Sequence, residues 1–187
     1  MNVIPTEIPG VIIVQPKAFG DARGWFMESW HVERYAAAGI PWPMVQDNQA
    51  YSTRGILRGL HVQWPHPQGK LVQVLSGEVF DVAVDIRRGS PWFGRWVGVT
   101  LSAENRRQFW VPPGFAHGYI VTGPQALFSY KCTDYYHPET EFAVRWDDPD
   151  LGIAWPRVDD PLLSGKDRRA MRLRDIPPER LPVYEEA

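Results

Sequence analysis

Along most of the chain the apolar residues come in short runs broken by glycine, proline, serine and asparagine, which is the pattern of strands joined by turns. Residues 11–14 make a short β-branched strand. Residues 19–26 mix turn formers with aromatics and one arginine, and read as a loop entering a strand. Residues 31–38 carry helix formers, with Gly39 as a stop and Pro41 beyond it, and predict the one substantial helix of this half. From Val45 onward strands dominate. Residues 70–75 and 78–86 flank Ser76-Gly77 and read as two strands joined by a tight hairpin. Residues 95–101, 108–111, 119–121 and 127–133 continue the series. Many short strands at regular spacing predict an all-β fold, an antiparallel sandwich or barrel with a few short peripheral helices. After Asp147 proline and charge take over, with loops at Asp148-Pro149-Asp150 and Trp155-Pro156. A short basic helix is then expected around residues 168–173, opened by Ser164-Gly165-Lys166-Asp167.

Composition narrows the picture. The chain has 187 residues, enough for one domain over residues 1–187 that buries about 70% of its unfolded surface. No internal repeat or linker divides it. Lys plus Arg number 20 against 22 Asp plus Glu, so a net charge of −2 gives no general attraction for nucleic acid. A single cysteine, Cys132, excludes an internal disulfide, and no Cys/His cluster suggests zinc. The N-terminus lacks a basic flank and a long apolar run, and no stretch approaches the ~20 apolar residues of a membrane span. A cytoplasmic protein is expected. Nine Trp, seven Tyr and eight Phe supply a core and suit a pocket that stacks a planar ring.

The most specific chemistry lies between Arg58 and Lys70. His61 sits in a short apolar segment with turn-rich flanks, which points its imidazole into a strand-lined cavity as a candidate base; the plainer alternative is a core histidine bonded to backbone. His61-Val62-Gln63, Lys70, Gly77 and the run Pro112-Pro113-Gly114-Phe115-Ala116-His117 resemble the two motifs of the cupin superfamily. In metal-binding cupins the resemblance places ligands at His61 and His117, but Gln63 stands where a second histidine is usual and Lys70 where a glutamate is. An ammonium cannot ligate a cation, so no metal is expected there. It can instead stabilise an oxyanion or enolate. Tyr130 shares strand parity with Phe128 and Cys132, so all three face one side of their sheet. Ser164-x-x-Asp167 fits a helix capping box, and on its own favours a capping role for Asp167.

Taken together, several motifs resemble the dTDP-4-dehydrorhamnose 3,5-epimerase family. They include Gly20-Asp21-Ala22-Arg23-Gly24, Gln46-Asp47-Asn48, Leu57-Arg58-Gly59-Leu60-His61 and Gly69-Lys70-Leu71-Val72. Pro113-Gly114-Phe115-Ala116-His117-Gly118, Tyr130-Lys131 with Tyr135-Tyr136, and Leu163-Ser164-Gly165-Lys166-Asp167 extend the match, in order, to Asp167. The resemblance implies a cupin-type jelly-roll barrel, a homodimer, no cofactor and a dTDP-sugar substrate. The implied reaction converts dTDP-4-keto-6-deoxy-D-glucose to dTDP-4-keto-L-rhamnose. It assigns His61 as base, Asp167 as its orienting carboxylate in place of the capping role, Lys70 as the pocket lysine and Tyr130 as the acid. Arg23, Glu28, Gln46, Asn48, Arg58 and His117 correspond to positions that hold nucleotide and sugar, with Phe19 and Phe26 as ring contacts, some of them in a neighbouring subunit's pocket. His66, in a loop with Pro65 and Pro67, departs from the family's pattern and reads as solvated. Two alternatives remain: an epimerase acting at C3 or C5 alone, and a non-catalytic cupin that binds a nucleotide sugar. A metal-dependent cupin enzyme conflicts with Gln63 and Lys70.

Overall fold

Two strands are long enough to belong to two sheets, and the rest of the fold is arranged on either side of them. The computed structural model describes residues 1–158 and 160–185. Its strands are β1 (Asn2–Pro5), β2 (Ile12–Gln15), β3 (Ala18–Asp21), β4 (Gly24–Met27), β5 (Gln46–Thr53), β6 (Leu57–Gln63), β7 (Lys70–Asp85), β8 (Trp96–Ser102), β9 (Gln108–Val111), β10 (Phe115–Cys132) and β11 (Glu141–Ala143). Two short helices, α1 (Val32–Ala37) and α2 (Gly165–Arg168), accompany them. The first part of β7 pairs with β9 on one side and the end of β10 on the other. With β1, β2 and β5 this makes one layer in the order β1-β2-β9-β7-β10-β5. The second part of β7 pairs with β8 and with the start of β10, and β6 and β11 follow, in the order β8-β7-β10-β6-β11. Every strand pairing is antiparallel, as the all-β, jelly-roll expectation requires.

The crossing from one layer to the other corrects the sequence reading at Ser76-Gly77. No hairpin forms there; β7 runs through, with Gly77 opposite Ala126. Gly77 has φ +81°, and a Cβ on it would lie 1.7 Å from the Gln125 carbonyl oxygen. The dipeptide stays paired, beside a bulge at Leu75, in a continuous strand that bends there, and a turn signal alone does not distinguish a bend from a turn. Opposite it, β10 leaves register between Val121 and Ala126, so both strands change layer together.

Alternate residues of both strands meet different cores. Val72, Val74, Val79, Ala83 and, from β10, Phe115, Val121 and Phe128 fill the space between the layers. Leu60, Val62, Val82 and Val84 face outward and are covered by Leu151, Leu173, Ile176 and Leu181 of the C-terminal segment. On the other layer Val14, Leu71 and Trp110 are covered by Tyr35 of α1 and by Ile40. Burial on both faces explains why these strands read as nearly continuous apolar runs.

Two further expectations change. Residues 19–26 form the hairpin of β3 and β4, whose turn is closed by the Arg23 N–H donating to Asp21 Oδ1 at 2.9 Å. The helix expected over residues 168–173 stops at Arg168. Beyond it Met171 pairs with Val144 and the Leu173 N–H donates to Asp148 Oδ2 at 2.7 Å, so sheet and carboxylate claim the backbone a longer helix needs.

Replacing Gly77 by Ala should destabilise the protein by about 2 kcal/mol or more, since a Cβ meets both strained backbone and a carbonyl. Urea unfolding should show a lower midpoint with an unchanged slope.

Candidate active site

Where the apolar filling between the layers ends, polar side chains take its place around a cavity of about 310 Å³. Strand alternation sets most of its wall. Gln46, Asn48 and Ala50 enter from β5, and His117, Tyr119, Phe128 and Tyr130 from β10. The parity expected for Phe128 and Tyr130 holds. From β6 both Arg58 and His61 line the cavity, although an odd spacing puts them on opposite faces of a regular strand. The reason is a bulge: four residues of β6, from Arg58 to His61, oppose three of β10, from His117 to Tyr119. Gly59 sits in it at φ +128°, and a Cβ there would lie 2.5 Å from the Gly118 Cα.

His61 Nε2 lies 2.7 Å from Asp167 Oδ1, and Asp167 is 3% exposed. Ser164 caps α2 by accepting from the Asp167 N–H, at 3.1 Å. The capping role that the capping-box pattern alone suggests for Asp167 is therefore corrected: serine caps the helix and Asp167 contributes its N–H, while the aspartate carboxylate is turned to the imidazole. Burial works against ionisation of Asp167, but the His61 hydrogen bond and charge, with help from Ser164 and Lys166, outweigh it and hold the carboxyl below its ordinary value. Burial likewise pushes His61 below its ordinary value, helped by the charges of Lys166 and Lys70 and opposed by Asp167. An ionised carboxylate can only accept, so the neutral ring carries its proton on Nε2 and keeps the Nδ1 lone pair. That is the state of a base.

Lys70, the first residue of β7, lines the same cavity. Burial lowers its pKa, against the pull of Cys132, Glu141 and Asp81. Tyr130 is raised, chiefly by burial and then by Cys132, which keeps its phenol protonated and able to donate. A second histidine–carboxylate pair stands deeper: His117 Nε2 is 2.9 Å from Asp81 Oδ1, and Asp81 is fully buried. Burial raises the Asp81 pKa and its partners His117 and Lys70 oppose the rise. Arg58 Nε donates to Ser52 Oγ at 3.1 Å, and Gln46 Nε2 donates to Asn48 Oδ1 at 3.2 Å.

The cavity thus gathers eight of the twelve candidates: His61, Lys70, Tyr130, His117, Arg58, Gln46 and Asn48 on its wall, with Asp167 behind His61. Phe19, Arg23, Phe26 and Glu28 are elsewhere. Phe19 and Phe26 are 56% and 70% exposed on the β3–β4 hairpin, Arg23 pairs with Asp21, and Glu28 with Arg34 of α1. Several wall residues escaped the sequence reading. Glu141 accepts from Lys166 Nζ at 2.6 Å and from the Tyr136 hydroxyl at 2.9 Å. Tyr119 is buried, and burial pushes its pKa to about 12 against the opposing pull of Arg58 and Ser52. Asp81 had a legible signal, a carboxylate at an inward position between Val79 and Ala83.

The donor set does not suit the ion of metal-binding cupins. Gln63 spends its amide on backbone, donating to the carbonyls of His66 and Tyr135 and accepting from the His137 N–H. Lys70 places an amine where a carboxylate ligand is needed.

A jelly-roll cavity lined by an imidazole, a buried phenol and an amine has the groups of an acid–base enzyme. The family profile described as dTDP-4-dehydrorhamnose 3,5-epimerase matches residues 5–175, and the chain belongs to that family. The enzyme of that name from Pseudomonas aeruginosa is 55% identical over 94% of this chain and 97% of its own. The crystal structure of a dTDP-6-deoxy-D-glucose-3,5-epimerase from Legionella pneumophila, in complex with dTDP-4-keto-L-rhamnose, superposes with a TM-score of 0.97 at 55% identity and covers 99% of both chains. A more distant relative from Streptomyces niveus, a dTDP-4-dehydrorhamnose 3-epimerase, is 40% identical over 94% of this chain and 85% of its own.

In an NMR titration the His61 ring should show a midpoint below the ordinary value of about 6.5. Asp167→Asn removes the group that draws the proton on, so the midpoint should fall further. A wild-type midpoint at or above the ordinary value contradicts this account.

Proposed function

We propose that the chain is a nucleotide-sugar isomerase that converts dTDP-4-keto-6-deoxy-D-glucose to dTDP-4-keto-L-rhamnose, the double epimerisation of dTDP-rhamnose biosynthesis. The observation that carries the mechanism is the His61–Asp167 pair on the same cavity as Lys70 and Tyr130. Hydrogens at C3 and C5 flank the C4 ketone and are acidic because the carbanion delocalises onto the carbonyl oxygen. His61 takes each proton on Nδ1, and Asp167 stabilises the imidazolium that forms. The electron pair moves to the C4 oxygen. Lys70 donates to that enolate oxygen, an effect worth about 3 kcal/mol for one well-placed donor. Inversion follows when a proton arrives from the opposite face, supplied by Tyr130 at C5.

Gln46, Asn48, Arg58 and His117 serve as sugar and nucleotide contacts. The four remaining candidates find a role in a homodimer. Among the described residues β3 and β4 pair only with each other, and they present Phe19, Trp25 and Phe26 to solvent beside Arg23. Aromatic faces suit a thymine ring and a guanidinium suits a diphosphate. In this reading the hairpin, with Glu28 at its base, completes the cavity of a second copy. The protein works as one domain in the cytoplasm, where the lone buried Cys132 meets no oxidant. No helix among the described residues is long and apolar enough to cross a membrane.

The test is deuterium uptake from D2O into dTDP-4-keto-6-deoxyglucose, followed by NMR. Exchange at C3 and C5 is expected, and His61→Ala should slow it by about 10²–10⁴-fold. The 3-epimerase relative from Streptomyces niveus favours a second reading, a single-position epimerase, which exchange at one carbon alone would establish. Binding without exchange at either carbon would leave a nucleotide-sugar-binding cupin.

Arg23→Ala should raise KM about tenfold with a smaller change in kcat, as loss of a charged hydrogen bond to a non-reacting group requires. If the hairpin serves a second copy, co-expressing Arg23→Ala with His61→Ala chains should restore sites with wild-type KM. A KM unaffected by Arg23→Ala removes the arginine from the site.

A further inference from the structure

Outside the cavity wall, two loops meet at its rim and bring together two imidazoles and a carboxylate. His66 lies in the loop after β6; Asp134 and His137 lie in the segment after β10. Their donor atoms all fall within 4.8 Å of one another. His66 Nδ1 is 3.9 Å from Asp134 Oδ2, and the two histidine rings stack with centroids 4.5 Å apart. We propose that His66, Asp134 and His137 form a binding site for a divalent transition cation of the zinc type, distinct from the position at which metal-binding cupins hold their ion.

The donors are of the right kind. Two imidazoles and one carboxylate are a set that zinc accepts, with water completing a tetrahedron. Bond lengths of about 2.0–2.2 Å place tetrahedral ligands roughly 3.3 Å apart, so the three groups need only close in slightly around an ion. His66 is 55% exposed at its side chain and has to turn out of its stack on His137 to share an ion with it, while Asp134 and His137 are about two-thirds covered.

The frame behind the donors is fixed. Gln63 holds the His66 carbonyl and the His137 N–H with a single amide. Gln68 donates to the Asp134 carbonyl at 2.8 Å. Each of the two more covered ligands also has an orienting partner. Asp134 Oδ1 accepts from the Tyr135 N–H at 2.8 Å, which leaves Oδ2 toward His66. His137 Nδ1 lies 3.2 Å from Glu139 Oε1, which places its proton on Nδ1 and leaves Nε2 for an ion. This is the carboxylate–histidine arrangement that stands behind metal ligands. With Asp134, Glu139 also makes the site attractive to a cation.

An ion here ties the loop of His66 to that of His137. Gln68 and Tyr136, one in or beside each loop, line the cavity. The site therefore braces the rim through which substrate passes, without touching the acid–base set.

Untagged protein, stripped with chelator, is titrated with ZnCl2 in a calorimeter. Uptake of one ion per chain with micromolar or tighter affinity is expected. His66→Ala and His137→Ala should each weaken it by at least about tenfold, while His31→Ala, at the cap of α1, leaves it unchanged. Zinc should also raise the melting temperature of the wild type and not of the two site variants. Uptake or thermal stabilisation that persists unchanged in both variants overturns the assignment, as does a wild type that takes up no zinc in the micromolar range.

Discussion

In a barrel interior that is apolar at one end and titratable at the other, a buried carboxylate needs a partner, because an unpaired buried charge costs several kcal/mol. The site is arranged by that requirement. Asp167 and Asp81, both buried, each face a histidine, and Lys166, Glu141 and Tyr136 form a hydrogen-bonded series beside the first pair. The two pairs are held differently. Around His61 the balance favours an ionised carboxylate and a neutral ring, whereas burial raises the pKa of the deeper Asp81. The pair nearer the cavity mouth therefore has the character of a base, and the deeper one that of a fixed hydrogen-bonding wall.

That wall depends on β7 and β10 serving both layers. Because each bends near Gly77 and residues 122–125, Lys70 and Tyr130 belong to one layer and His117 to the other, yet all three line one cavity, with Asp81 buried behind His117. The bulge at Gly59 does the same work on a smaller scale by turning Arg58 to the face of His61. The shape of the cavity wall is thus set by backbone irregularities, two of them at Gly59 and Gly77, in strands otherwise packed on both faces.

Much of this was legible in the chain itself. Strand periodicity placed most of the sheet, the parity of Phe128, Tyr130 and Cys132 placed the phenol, and the replacement of two ligand positions by Gln63 and Lys70 pointed away from a cupin metal centre. What was not legible has physical causes. Ser76-Gly77 carries the same local signal whether it turns or bends, and only the partner strand decides. Strands as short as β1 and β11 have too few residues for a period. Glu141 and Tyr119 join the cavity through pairing across the sheet, which no local pattern reports. Residues 19–26 read as a loop entering a strand, not as the β3–β4 hairpin, because their aromatics point outward, where alternation between core and solvent gives no guide.

The bond between His61 and Asp167 spans 106 residues, and this separation has a consequence for how the molecule is assembled. All the strands are complete once residue 143 has been made, yet the carboxylate that selects the tautomer of His61 arrives later, on α2. The segment that brings it also carries Leu173, Ile176 and Leu181, which cover the outer face of the second layer. Docking of that segment joins two events that are separate in most barrels, the sealing of the hydrophobic exterior and the arming of the base. The same segment thus both fixes the proton position of the imidazole and covers the outer face of the sheet, so the two cannot be separated in the native structure.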